Sequence, residues 1–245
     1  MESLNAYFES LGPKQCVTAV GCGGKTSLIR YLAQNRKQLK TLVATTTKMA
    51  VPLSEDYDYL RDYSGDHLSF PPASPGITIG GRLGNERKLQ AIPLDILEEI
   101  VPDFDYVLIE GDGSRNLPLK AWADYEPVVP SCTTITVGIL PVWTLGKPVS
   151  ETIVHRLPLF TALTGAQPGE IITFQHLVSV ITGNYPSSGK GLFSAAQGKR
   201  ILFFNQVETE TAMSRAKELA SLIPPGFRSR LHSIIAGSVQ QGSVA

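Results

Sequence analysis

Apolar positions recur along the chain in two rhythms. "KQCVTAV" (14–20) is short, with Cys16, Val17, Ala19 and Val20 around Thr18, and reads as a buried strand. "KTSLIRYLAQNR" (25–36) then places Leu28, Ile29, Leu32 and Ala33 on one helical face. "KTLVATTT" (40–47) predicts a second strand, β-branched and apolar. The stretch 51–76 is richer in Pro, Ser, Asp and Tyr and reads as irregular. "GITIGG" (76–81) predicts a short strand, "PLDILEEIV" (93–101) a short amphipathic helix and "DYVLIEGDGS" (105–114) a strand running into a turn. "TTITVGIL" (133–140) is another strand, followed by helices near 157–164 and 174–182. "KRILFFNQ" (199–206), "TETAMSRAKELASLI" (209–223) and "RLHSIIAGS" (230–238) predict strand, helix and strand. Strands this apolar, alternating with helices, suit an α/β fold: a mostly parallel β-sheet with helices on both faces. The expectation is a single domain over 1–245, with 51–95 a candidate insertion at the sheet edge. The loop 183–191, "GNYPSSGKG", reads as the most flexible interior stretch.

The bulk numbers narrow the class. The chain has 245 residues, 42% hydrophobic and 18% charged, with a formal net charge of +0. That composition is globular, and the balanced charge gives no reason to expect nucleic acid or an acidic membrane as partner. The N-terminus "MESLNAYFESLGPKQ" lacks the basic start and apolar core of a secretory signal, and no apolar run approaches the ~18 residues of a membrane span. Cys16, Cys22 and Cys132 form no CxxC, so neither a disulfide framework nor a zinc site is indicated. These features predict a reduced, cytoplasmic protein.

Chemistry concentrates at strand ends, where parallel sheets bind ligands. "AVGCGGKTS" (19–27) joins the first strand to the first helix. Ala19, four residues, then Gly24, Lys25 and Thr26 make the Walker A spacing, with Ala19 in place of the first glycine. Gly21, Gly23 and Gly24 let backbone N–H groups turn inward, and these amides with the helix start form an anion cradle running from Gly21 through Cys22 to Ser27. Lys25 is expected to reach β- and γ-phosphates of ATP or GTP, and Thr26 to hold Mg²⁺. The bland alternative is a glycine turn that packs helix against sheet. Cys22 is either a thiol activated at the helix start or a small residue the loop tolerates.

"DYVLIEGDGSR" supplies the acids that such a site needs. Glu110 and Asp112 emerge at the strand's end, and either could hold Mg²⁺ directly or through water. Asp-Gly is equally a common turn pair. Arg115 could neutralise transition-state charge or be a surface arginine. "TTTK" (45–48) brings hydroxyls to the next strand end, where they could meet a γ-phosphate or serve only as strand residues. Asn205-Gln206-Val207-Glu208 resembles a degraded guanine-reading motif, or a polar strand end and helix cap. His155 and Arg156 could contact substrate or pair locally. His67, His176 and His232 show no ligand spacing and read as structural.

At "VTAVGCGGKTSLIRYLA", "TTTKM", "VLIEGDGSRNLPLKAWADYEPVVP" and "LGKPVSETIVHR" the sequence resembles the YqeC family, accessory proteins of selenium-dependent molybdenum hydroxylases. The most specific run is 107–130. By that resemblance Gly24, Lys25 and Thr26 fall on the nucleotide loop, Glu110, Asp112 and Arg115 on a second block, and Lys120, Glu126 and Pro127 on its extension. The family's Glu-Ala-Asp-Gly is Glu110-Gly111-Asp112-Gly113 here, and Trp122 stands where a small or proline-like residue is usual. The resemblance implies a role in maturing a molybdenum or selenium enzyme. Three functions are in play: a Mg²⁺-dependent NTPase, with Arg115 and Lys120 meeting substrate or the transferred phosphate; a small-molecule kinase or ligase whose acceptor pocket is "PLKAWADYEPVVP"; and a non-catalytic, nucleotide-gated module that docks on a hydroxylase.

Overall fold

The computed structural model describes residues 2–64, 73–83, 88–187 and 189–245, so His67 lies outside the described residues. The chain opens with β1 (Glu2–Ser3), α1 (Leu4–Ser10), β2 (Gln15–Gly21), α2 (Lys25–Gln34), β3 (Lys40–Thr45) and β4 (Lys48–Ala50). Next come β5 (Tyr59–Asp62), β6 (Gly76–Leu83), β7 (Lys88–Gln90), α3 (Leu94–Ile100) and β8 (Tyr106–Glu110). β9 (Leu119–Lys120), β10 (Ile135–Pro141), β11 (Val154–His155), α4 (Leu157–Thr164) and α5 (Phe174–Thr182) follow. The chain closes with β12 (Lys199–Asn205), α6 (Glu210–Leu222), α7 (Pro225–Arg228), β13 (Ser233–Ser238) and β14 (Ser243–Val244).

The fold is α/β, as the alternation predicts. Parallel strands run in the order β13-β12-β10-β2-β8-β3-β6-β5. Short antiparallel strands extend both edges: β14 and β1 beyond β13, β7 and β4 beyond β6. Successive side chains on a strand point to opposite faces, which divides the core. Val17, Ala19, Leu108, Val137, Ile201 and Phe203 meet α1 and α2 on one face. On the other, Val107 and Ile109 meet α3, while Leu140, Leu202 and Phe204 meet α4, α5 and α6. Burial of both faces explains why these strands lack a polar side.

The order of strands positions the site. From β2 the chain passes by α2, on the first face, to β3 on one side. From β8 it returns over the other face to β10 and β12 on the opposite side. β2 therefore sits where the winding reverses, the place in a parallel sheet where ligands characteristically bind.

One expectation needs correction. The stretch 51–76 is not wholly irregular: Ser54–Asp56 forms a 3₁₀ turn and β5 pairs with β6 in parallel. Its strand, Tyr59-Leu60-Arg61-Asp62, alternates between half-buried and exposed and has Leu60 as its one aliphatic residue, so it carries little apolar signal. The N-terminus is helical, because Ser3 caps α1 and Leu4 and Phe8, one turn apart, are both buried. The 51–95 stretch does lie at one sheet edge, but β6 within it joins the parallel order directly beside β3. Among the described residues no helix is long and apolar enough to cross a membrane.

Gly138, in the middle of β10, lets the 192–193 turn press onto the sheet: a Cβ there would sit 2.6 Å from Phe193 Cζ and 2.7 Å from Leu192 Cδ2. Both side chains are buried and have little room to yield. Gly138→Ala is expected to lower unfolding free energy by about 1–3 kcal/mol through overpacking. Urea denaturation checks this; an unchanged midpoint would mean that the turn is loosely held.

Candidate functional site

β2 ends at Gly21, and the loop turns on glycines with φ of 96° at Gly21, 74° at Gly23 and 137° at Gly24, a region that L side chains avoid. Ala19, at the first glycine position of the spacing, lies inside β2, buried and paired with Glu110 and Val137. The turn therefore needs no glycine there. α2 begins at Lys25, and Gly24, its cap residue, has no side chain to cap with. Among the described residues the N–H groups from Gly23 to Ser27 have no acceptor, leaving a run of donors at a helix start that suits an anion.

The loop is tied down from beneath by Asp112, which is fully buried. Gly21 N–H donates to both of its carboxylate oxygens at 3.1 Å. Lys25 Nζ lies 3.2 Å from Oδ1, Lys120 Nζ 3.2 Å from Oδ2, and Trp122 Nε1 donates to Oδ2 at 2.6 Å. Lys25 also donates to the Gly21 carbonyl at 2.5 Å. Burial opposes the charge on Lys25, but Asp112, with Cys22 and Glu110, outweighs it and raises the amine above its usual value. Trp122, the departure from the family pattern, thus supplies a hydrogen bond to the central acid.

Glu110 does something else. Thr26 Oγ1 donates to Glu110 Oε2 at 2.9 Å, so the first hydroxyl of α2 and the last acid of β8 meet at the rim of the loop. Burial raises the Glu110 carboxyl, and Lys25 and the Thr26 hydrogen bond offset part of that rise. Thr45 Oγ1 and Thr46 N–H donate to the Glu110 carbonyl at 3.2 and 3.0 Å, so these hydroxyl-rich residues buttress the acid through its backbone. Thr47, half-buried, is linked to Thr45 Oγ1 by its N–H at 3.0 Å.

The remaining candidates sort by position. Ser27 is exposed on the first turn of α2. Burial pushes the Cys22 thiol up to about 12, which favours its protonated form. Arg115 is exposed, in a left-handed turn. His155 is held below its usual range by burial first, then by the charges of Arg156, Lys120 and Arg115. Lys120 is 1% exposed, and its amine is bound by Asp112, by Glu126 at 2.8 Å and by the Gly113 carbonyl at 2.6 Å. Glu126 passes the chain of charges to Arg156, its ion-pair partner, whose guanidinium also reaches Tyr125 Oη at 3.1 Å. Asn205 donates to the Gly23 carbonyl at 2.8 Å and accepts from Val239 N–H at 3.0 Å, so its amide serves the loop. His176 completes the capping box of α5 with Thr173. Cys16 and Cys132 lie far apart in sequence, yet their thiols are 3.8 Å apart and free.

A family model described as YqeC protein matches residues 17–158. The Escherichia coli (strain K12) protein named "Uncharacterized protein YqeC" is 30% identical over 236 residues, which cover 92% of this chain and 88% of that protein. The chain belongs to the YqeC family. The matched segment runs from β2 past Arg156, and so contains the loop, both acids and the whole Lys120–Glu126–Arg156 series. Asn205 lies beyond it. Within a YqeC chain, Glu126 and Arg156 had a signal in the family run and in "ETIVHR", but nothing in their spacing showed that Asp112 and Lys120 join them.

Asp112→Asn is expected to destabilise the fold by about 3–5 kcal/mol, since it leaves Lys25 buried without its carboxylate. Trp122→Phe, which removes one hydrogen bond to the same acid, should cost only about 1–2 kcal/mol. Denaturant titration of both variants checks the order. Glu126 gives a pH signature. Burial raises its carboxyl, but the Arg156 and Lys120 hydrogen bonds outweigh burial and hold it at about 2, below its usual 4.5. A carboxyl depressed by folding stabilises above its unfolded value and loses that contribution as pH falls from about 4.5 towards about 2. The wild type should lose stability across that window, and Glu126→Gln should lack this component; parallel losses in both would show that the pair contributes nothing.

Proposed function

We propose that the chain is a Mg²⁺-dependent NTPase that binds ATP or GTP on the Gly21–Ser27 loop and works in the cytoplasm as an accessory factor in maturing a selenium- or molybdenum-dependent hydroxylase. The observation that carries the reading is the 2.9 Å contact between Thr26 and Glu110, at the rim of a helix start whose N–H groups are free. Two hard oxygen donors side by side fit Mg²⁺, which takes one or two protein oxygens and the substrate's phosphates. Thr26 and Glu110 would hold it, and Mg²⁺ would supply charge neutralisation across the phosphates.

The chain's own groups divide the remaining work. The loop amides orient the phosphate chain. Lys25, now folded against the Gly21 carbonyl and Asp112, extends to the β- and γ-phosphates. Asp112 keeps the loop in register. Arg115, exposed and without an ion pair among the described residues, would meet transferred charge. Such sites turn over slowly until a partner completes them. Resemblance to the YqeC family supports the accessory role.

One feature favours phosphoryl transfer or ligation as a second reading. A cleft of about 450 Å³ is lined by residues 124–129, Lys190 and 194–197, and its Val128 donates its N–H to the Gly111 carbonyl at 3.0 Å and accepts from the Thr46 hydroxyl beside Glu110 at 2.9 Å. An acceptor there would sit against the segment that buttresses the metal-binding acid.

The test is binding and hydrolysis of ATP and GTP with Mg²⁺. Lys25→Ala should abolish binding or turnover with the fold intact; unchanged affinity would overturn the assignment. Glu110→Gln should cut Mg²⁺-dependent turnover at least tenfold, about 1.4 kcal/mol of barrier, with a smaller effect on affinity. Tight binding without turnover, even beside the hydroxylase, would instead mark a nucleotide-gated module.

A further inference from the structure

Beside the loop, on the side of β2 away from Glu110, three strand ends are knitted together. Pro141, the last residue of β10, lies opposite Asn205, the last of β12. Pro141 packs over the loop, since a Cβ on Gly23 would sit 2.6 Å from its Cγ. Asn205 donates to the Gly23 carbonyl at 2.8 Å, and Val207 N–H donates to Gly237 of β13 at 2.9 Å. Two residues after Pro141 stands Trp143, 38% exposed. Its indole N–H donates to Gln206 Oε1 at 2.6 Å, and Gln206 follows Asn205 directly, in a left-handed conformation with φ 63°.

An indole that exposes this much of itself while its N–H is fixed is an oriented aromatic surface. It stands two residues after Pro141 and is anchored to Gln206, the residue after Asn205, so it is adjacent in sequence to the pair that holds the loop. No other ring among the described residues stacks on it. Its placement answers a geometric demand. A nucleotide whose metal-bound end lies at Thr26 and Glu110, towards β8, must carry its nucleoside in the opposite direction along the loop. That direction leads to the ends of β10 and β12.

We propose that Trp143, held by Gln206, is the stacking platform for the nucleobase, so that the site takes a whole nucleoside triphosphate and not only its phosphate chain. This rests on the nucleotide reading of the loop. The indole face supplies stacking, which every base can use, and the Gln206 amide fixes the ring's angle.

The test compares a nucleoside triphosphate with inorganic tripolyphosphate, each with Mg²⁺, by calorimetry. The wild type should bind the nucleotide more tightly than tripolyphosphate. Trp143→Ala should weaken nucleotide binding roughly tenfold and leave tripolyphosphate binding unchanged, as expected for loss of one base stack. Trp143→Phe should retain most of the affinity, and Gln206→Ala should lose part of it, which guards against a misfolded alanine variant. Nucleotide should quench the tryptophan fluorescence of the wild type more than that of Trp143→Phe. Three results would overturn the proposal: nucleotide affinity unmoved in Trp143→Ala, equal weakening of both ligands, or no preference for nucleotide in the wild type. In each of these the nucleotide loop stands if Lys25→Ala still loses tripolyphosphate. Failure of the wild type to bind either ligand would remove the loop reading and the stacking platform together.

Discussion

A single buried carboxylate holds the centre of this molecule. Asp112 accepts the Gly21 N–H at the point where β2 gives way to its loop, and draws Lys25, Lys120 and Trp122 onto the same two oxygens. A carboxylate taken wholly out of water is tolerated only when its oxygens are filled with donors, preferably charged ones. That requirement fixes the loop at one end and the segment after β8 at the other. Lys120 then needs a second anion, because two cations on one carboxylate leave positive charge over, and Glu126 provides it. Glu126 in turn takes Arg156. The series ends where a guanidinium reaches the half-exposed rim, where solvent can share its charge.

This series links two parts of the chain that the sheet alone would leave apart. β9 and β11, carrying Lys120 and His155, form a small parallel pair of their own outside the main sheet. Their hydrogen bonds fix the backbone, and the ion pairs fix its distance from the loop. The consequence for function is mechanical. Any ligand that pulls Lys25 away from Asp112 changes the balance of charge on that acid, and Lys120, Trp122 and Glu126 feel it first.

The two acids show how far spacing carries an argument. "IEGDG" placed Glu110 and Asp112 at a strand end and gave both the same candidate role. Alternation along an extended chain sends residues two apart to the same side, but the chain leaves the strand after Glu110, so the second acid drops beneath the loop while the first stays at its rim. Trp122 was legible only as a departure from a familiar pattern. Its use became plain when its N–H met Asp112. Asn205 is open in the sequence between a degraded base-reading motif and a polar strand end, and in the fold its amide is occupied by the loop carbonyl and by Val239. Short edge strands such as β4, β5 and β7 were missed because a half-exposed strand of three or four residues has no apolar run to betray it.

What the sequence determined by itself was the succession of buried strands and covering helices, and the glycine-lysine-threonine turn between the first of them. These depend on interactions between residues near one another in the chain: side-chain periodicity, left-handed glycines, a helix beginning where a strand stops. The tertiary structure decided the order of strands, which sets β8 against one flank of β2 and β10 against the other, and with it the division of labour between Glu110 and Asp112 and the pairing of Lys120, Glu126 and Arg156. The physical reason is that an ionic contact acts over a few ångströms of space while being indifferent to distance along the chain. Only the closed fold, by burying charges from residues 25, 112, 120 and 126 together, makes each of them choose its partner.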